Sequence, residues 1–165
     1  MFQPPRVSCQ DKTGQVFAAA ACGLELCAAL QRMYDSFEPK GWAQGLPPHE
    51  EHTRRTWVET VLAQGHNFVL YQQEEIIGHA ALLPHPERRD AELLVFLLPE
   101  FQRRGLGSVL AQMALDKAAE LGLSKLFLEV ASRNISAIRL YRKFRFEFCD
   151  QECDSERVMV CTLED

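Results

Sequence analysis

A chain of 165 residues, 47% hydrophobic and 25% charged, can bury a core of its own and reads as one globular domain over residues 1–165. Its net charge of −5 argues against broad affinity for nucleic acid, and no apolar run approaches the ~20 residues of a membrane span. The first residues lack the apolar block of a secretory signal, and the six cysteines contain no C-x-x-C pair, so reduced thiols and a cytoplasmic location are expected.

Residues 15–20 read as a first strand, weakened by its alanines. Leu26, Cys27, Leu30, Tyr34 and Phe37 recur at helical spacing and predict a helix over 24–36. Pro39, Gly41, Gly45, Pro47 and Pro48 then impose a loop. A second helix is expected over 50–62, with Trp57, Val61 and Leu62 inward. Residues 67–72 and 76–83 read as strands joined by a turn at Gln73-Glu74, and 91–98 is the third strand of that meander. Leu106, Val109, Leu110, Met113, Ala114 and Leu121 mark a helix over 106–121. A strand over 125–131 and a helix over 134–144 follow, and 145–149 with 158–163 suggest a final hairpin around Asp154-Ser155.

At the handover from strand 91–98 to helix 106–121 stands Gln102-Arg103-Arg104-Gly105-Leu106-Gly107. Glycines let backbone N–H groups approach a guest closely, and a first helical turn has spare donors and a favourable dipole for an anion. A phosphate or pyrophosphate is the indicated guest. The dinucleotide fingerprint fails, because no third glycine follows and Ala111 stands four residues after Gly107; a P-loop fails for want of a Lys after Gly107. Taken alone, Q-x-x-G-x-G also fits a plain turn with solvated arginines. A second segment is Asn134-Ile135-Ser136-Ala137-Ile138-Arg139-Leu140-Tyr141-Arg142-Lys143-Phe144, in which Asn134 is a suitable N-cap and Ala137, Ile138 and Tyr141 share a helical face.

Q-x-x-G-x-G, followed one helix and one strand later by Asn, Ala three residues on, and Leu-Tyr, resembles the GNAT family of N-acetyltransferases. The resemblance covers essentially the whole chain, least clearly its N-terminal third. It implies a mixed α/β fold, with a central, mostly antiparallel twisted sheet that is splayed at the acyl-CoA site and carries helices on both faces. It implies acetyl-CoA as cosubstrate and no metal. Val95 and Leu97 are expected to offer backbone groups to the pantetheine, while Gln102, Arg103, Arg104, Gly105, Leu106, Gly107 and Ser108 wrap the pyrophosphate, with Asn134 also on the cofactor. Arg103 and Arg104 are expected to add positive charge there, with a solvated position for one of them as the alternative. Relatives usually carry Gly where Arg145 stands, which bears on the helix end and not on the cofactor residues.

Transfer of an acyl group to an amine needs a proton acceptor, a donor for the oxyanion and a proton for the departing sulfur. The resemblance assigns the last role to Tyr141 and points to Glu92 as base, with Glu129 as its competitor; a surface carboxylate at a strand end is the plain reading of Glu92. A backbone N–H near Leu97 is expected to meet the oxyanion. His49, His52, His79 and His85 show no zinc-ligand spacing. The acceptor is expected near the first two helices and the C-terminal hairpin. Tyr34, Phe37 and Trp42 line a pocket there or simply pack, and Asp150, Glu152, Asp154 and Glu156 attract a cationic amine or form a solvated turn. The reading is therefore acetyl transfer from acetyl-CoA to a primary amine by direct attack in a ternary complex. A larger acyl-CoA, a protein lysine acceptor and a non-catalytic acyl-CoA-binding module are its alternatives. Neither nucleic acid nor membrane is an expected partner, and a homodimer is left open.

Overall fold

The computed structural model describes residues 4–41, 46–149 and 155–163. Trp42, Gly45, Asp150, Glu152, Cys153 and Asp154 lie outside the described residues. Along the chain run β1 (Val7–Gln10), β2 (Val16–Cys22), α1 (Cys27–Ser36), α2 (Glu51–Gln64), β3 (His66–Gln72), β4 (Glu75–Pro84), β5 (Asp90–Leu97), α3 (Leu106–Glu120), β6 (Lys125–Ala131), α4 (Ile135–Lys143), β7 (Glu147–Phe148) and β8 (Glu156–Thr162).

The strands form one sheet in the order β1-β2-β3-β4-β5-β6-β8-β7. All neighbours are antiparallel except β5 and β6. β1 is not visible in the sequence pattern. Its four residues are exposed or half-buried, so no apolar alternation marks it, and only pairing with β2 makes it a strand. The helix expected over 24–36 begins instead with a 3-10 turn at residues 24–26. At α2 the Glu50 carboxylate accepts from the His52 and Thr53 N–H groups and caps the helix.

Helices cover both faces. On one, Leu106, Leu110, Ala114 and Ala118 of α3 pack with Leu82, Leu93, Leu97, Leu126 and Leu128 of the strands. On the other, Leu30, Met33, Tyr34, Val58, Val61 and Leu62 of α1 and α2 cover Val69, Ala81, Leu94 and Phe96. Each fully buried leucine contributes roughly 2 kcal/mol, so both helix layers are held mainly by apolar area.

The irregular feature of the sheet is a fork. β5 and β6 pair at Asp90↔Lys125, Ala91↔Leu126 and Glu92↔Phe127 and no further. β5 continues to Leu97 along β4, and β6 continues to Ala131 along β8. Two strands that share a sheet thus part beyond Glu92, and the gap between them opens at the N-terminal end of α3.

The end of α4 is a Schellman motif. Phe146 N–H bonds to Tyr141 O at 3.1 Å and Arg145 N–H to Arg142 O at 3.1 Å. Arg145 has φ 66°, the left-handed position that glycine usually fills. The helix end therefore keeps its shape without glycine, at a cost in backbone strain.

Candidate active site

The phase of the β4–β5 ladder decides which backbone groups face the fork. Leu98 N–H bonds to Ile77 O at 2.9 Å. Alternation then turns the N–H and C=O of Phe96 toward β4, and those of Leu93, Val95 and Leu97 toward the absent neighbour. The Leu97 carbonyl is already taken by Gln102 Nε2 at 2.9 Å. The Gln102 side chain thus closes the end of the strand, and the Val95 pair and the Leu97 N–H remain for a guest.

A cavity of about 650 Å³ fills the fork. It is lined by Val95, Leu97, Gln102, Arg103, Gly105, Gly107, Ser108, Asn134 and Tyr141, so it gathers most of the residues marked by the two motifs. Arg103 and Gly105 both have positive φ, 59° and 85°. The left-handed Gly105 starts α3 with no side-chain cap. The first-turn N–H groups, Leu106 and Gly107 among them, therefore keep donors for an anion. A Cβ at Gly107 would lie 3.1 Å from Leu140 Cδ2, so a larger residue there would require that side chain to give way.

Two loop residues sit elsewhere. Leu106 is fully buried in the core, and only its backbone can serve the loop. Arg104 does not border the cavity. It donates through Nε to Asp11 at 2.7 Å and through Nη2 to Gln15, and its guanidinium carbon lies 5.4 Å from the Phe17 ring and 5.5 Å from the Phe101 ring. Of the two arginines, Arg103 is the exposed one that borders the cavity.

Asn134 caps α4 by accepting from Ala137 N–H at 3.1 Å, and it borders the cavity as well. Tyr141 is buried, with its ring 5.8 Å from that of Phe146. Its hydroxyl makes no hydrogen bond among the described residues, and burial pushes its pKa well above that of a free phenol. A phenol in that state is protonated at neutral pH and has a proton to give.

On the opposite face of the fork lie three carboxylates. Alternation puts Glu92 on the side of Leu94 and Phe96, Glu129 opposite the buried Leu128 and Val130, and Glu156 in phase with Val158, the partner of Glu129. Burial, then repulsion from Glu129, raises the pKa of Glu92; burial, then repulsion from Glu156, raises that of Glu129. No cation pairs with any of the three among the described residues. Glu129 and Glu156 border the cavity, together with Phe37, Pro39 and Leu46 from the α1–α2 side. Glu92 stands at the closed end of the fork, outside that lining.

Tyr34 is a packing residue. Its hydroxyl bonds to Nδ1 of the buried His79 at 2.7 Å, and His79 Nε2 meets Asn67 Oδ1 at 2.8 Å. Phe37 is buried yet reaches the cavity, and Trp42 lies outside the described residues. Among the described residues no His, Cys, Asp or Glu group is arranged to hold a metal ion, and Cys9, Cys22, Cys27, Cys149 and Cys161 are free thiols.

Motif spacing does not reach Lys12, Arg139 or Lys143, which also border the cavity. Arg139 and Lys143 are four apart on α4, a visible helical spacing, and Lys143 Nζ donates to Ser108 Oγ at 3.2 Å. Lys12 comes from the far N-terminus and carries no local signal.

Residues 27–146 match the Acetyltransferase (GNAT) family. The spermine/spermidine N(1)-acetyltransferase of Bacillus subtilis (strain 168) is 31% identical over 103 residues, 57% of this chain and 68% of that protein. The GNAT domain of S. lividans PAT superimposes with a TM-score of 0.78 at 15% identity, over 96% of this chain and 97% of that one. The Salmonella typhimurium protein YncA, solved with its cofactor acetyl-CoA, superimposes with a TM-score of 0.71 at 19% identity, over 90% and 95%.

Proposed function

The chain belongs to the acetyltransferase (GNAT) family and is an acyl-CoA-dependent acetyltransferase, and we propose that it moves the acetyl group of acetyl-CoA to a primary amine of a cationic acceptor by direct attack in a ternary complex. One observation carries this reading: the β5–β6 fork, the uncapped start of α3 and Tyr141 share one cavity. The residues present fit the cofactor. Backbone groups of Val95 and Leu97 suit an extended amide-bearing arm. The N–H groups of residues 105–108, with Arg103 beside them, suit a pyrophosphate. The fold-mate YncA was solved with acetyl-CoA.

Acetyl-CoA supplies an activated acetyl thioester; the chain supplies position and protons. The acceptor reaches the carbonyl carbon from the α1–α2 face. A carboxylate of the Glu92–Glu129 pair takes the ammonium proton, so the nitrogen lone pair can form the new C–N bond. The Leu97 N–H meets the charge gathering on the carbonyl oxygen. The Tyr141 hydroxyl gives its proton to the sulfur as the C–S bond breaks, and the extra proton on the newly bonded nitrogen passes to the phenolate so formed, leaving a neutral amide. The row Glu92, Glu129 and Glu156 favours an acceptor that carries positive charge, in keeping with the spermine/spermidine activity named for the B. subtilis relative. Free thiols and the absence of any described helix long and apolar enough to cross a membrane accord with a cytoplasmic location.

The test is CoA release from acetyl-CoA across a panel of amines, with longer acyl-CoAs and a lysine peptide included. Turnover is expected with a polyamine or another cationic primary amine. Tyr141→Phe should lower kcat by about 10²–10⁴-fold and leave the acetyl-CoA KM nearly unchanged. The raised carboxylate pKa places the acid limb of the pH–rate profile above the ordinary glutamate range, and activity falls as pH drops through it. Glu92→Gln should remove that limb. If its profile runs parallel to the parent's while that of Glu129→Gln does not, Glu129 is the base. Acetyl-CoA binding without turnover on any amine would reject catalysis.

A further inference from the structure

The N-terminal hairpin is tied to the anion-ready loop at several points. Lys12 N–H bonds to Arg104 O at 2.9 Å, backbone to backbone. The Asp11 side chain is fully buried. Its Oδ1 accepts from Thr13 N–H (2.8 Å), Thr13 Oγ1–H (2.7 Å) and Gln15 N–H (3.0 Å), and its Oδ2 takes Arg104 Nε. Arg104 thus spends its charge on Asp11. Lys12 does not: its side chain is exposed and makes no ion pair or hydrogen bond among the described residues. It passes Gly105 closely, since a Cβ on Gly105 would lie 3.5 Å from Lys12 Cγ and 3.7 Å from Lys12 Cε. It also borders the cavity, as Arg103 does.

We propose that the turn between β1 and β2 is a further wall of the phosphate site, in which Lys12 Nζ binds a phosphate oxygen of the acyl-CoA and the Asp11–Arg104 pair is the latch that holds it there. The inference rests on the acyl-CoA reading above and extends it to a segment with no motif. A lysine whose charge is already spent elsewhere would have no such use, and neither would one on a mobile hairpin; this one is uncommitted and its backbone is pinned to the loop. A carboxylate that accepts four hydrogen bonds stays ionised, and the Asp11 pKa is depressed to about 2, first by Thr13. The latch is therefore closed throughout the neutral range. Lys12 is assigned as a ligand of phosphate, and Asp11 and Arg104 as positioning residues that act through it.

The experiment is calorimetry with acetyl-CoA and its 3′-dephospho form on the parent, Lys12→Gln, Lys12→Arg, Asp11→Asn and the double variant, at low salt. Loss of one charge-assisted contact should weaken binding about tenfold in Lys12→Gln, and Lys12→Arg should retain most of the affinity. Asp11→Asn should weaken binding too, and in its background Lys12→Gln should add less than about twofold, because the lysine is no longer held at the site. A loss seen with both ligands places Nζ on the pyrophosphate; a loss confined to acetyl-CoA places it on the 3′-phosphate; either supports the assignment. Lys12 is exposed, so its substitution leaves the core intact. Equal affinity of Lys12→Gln and the parent for both ligands overturns the proposal while the acyl-CoA reading stands. A parent that binds neither ligand overturns the acyl-CoA reading itself.

Discussion

Arg145 shows what a single residue does and does not decide. The Schellman geometry at the end of α4 puts it at φ 66°, where a Cβ costs roughly 1–2 kcal/mol. Its neighbours keep it there: the Phe146 ring packs on Tyr141, and both hydrogen bonds of the motif form. Arg145→Gly is therefore expected to raise stability by about 1 kcal/mol, or a few degrees in Tm, with acetyl-CoA affinity unchanged. Thermal denaturation of the two proteins checks this, and a lower Tm in the variant would show that the arginine's side-chain contacts outweigh the backbone strain. At the same scale, Arg103 and Arg104 are adjacent and chemically alike, yet one borders the cavity and the other holds a hairpin. Nothing in the pair of letters distinguishes them, because the difference is made by Asp11, Gln15, Phe17 and Phe101.

Between elements, one polar chain joins α1, α2, β3 and β4 beneath the α1–α2 face. Asn67 Nδ2 donates to Val61 O (3.1 Å) and Gly65 O (3.0 Å) at the end of α2. Its amide orientation is thereby set, so Oδ1 must accept from His79 Nε2–H, and His79 Nδ1 must accept from the Tyr34 hydroxyl. The imidazole is neutral with a defined tautomer. Asn67→Ala leaves the buried His79 donor without a partner and frees the end of α2, which should cost about 2–3 kcal/mol. Urea titration gives the number. A loss below about 0.5 kcal/mol would mean that water replaces the amide and that the chain contributes little. The helices and the β3–β4–β5 meander were legible in the sequence from apolar periodicity. β1 was not, because an edge strand with no buried face leaves no alternation to read. Nor was this polar chain, because its members are far apart in sequence.

For the molecule as a whole, the same chain predicts how stability depends on pH. Burial lowers the His79 pKa from 6.5 to about 3, so between those values the unfolded state binds a proton that the native state refuses. The contribution is full above pH 6.5, declines as pH falls, and is lost by about pH 3. It amounts to roughly 5 kcal/mol on the linkage relation. Denaturation free energies measured from pH 7.5 to 4.5 should fall on the acid side, and His79→Gln should flatten that slope. Parallel slopes in parent and variant would remove His79 from the account. Asp11 and Glu50, both held at about 2 by hydrogen bonds led by Thr13 and Thr53 respectively, begin to lose their contributions as pH falls below their ordinary values of 3.8 and 4.5, overlapping the acid end of the His79 range, and have lost them by about pH 2.

The sequence by itself determined the elements, their order and the two motif segments, because turn glycines, caps and apolar periodicity act over a few residues. It also placed Gln102, Gly105, Gly107, Asn134 and Tyr141 on a common track, through spacing shared with a known family. Tertiary structure alone decided where the sheet opens. The split of β5 from β6 past Glu92 follows from which strand each is paired to on its other side, and those partners, β4 and β8, lie far apart in the chain. It likewise decided that Glu129 borders the cavity while Glu92 stands at the fork's closed end, and that Lys12 reaches a loop more than ninety residues away. Electrostatics and packing depend on distance in space, and at that range spacing along the chain carries no information about it.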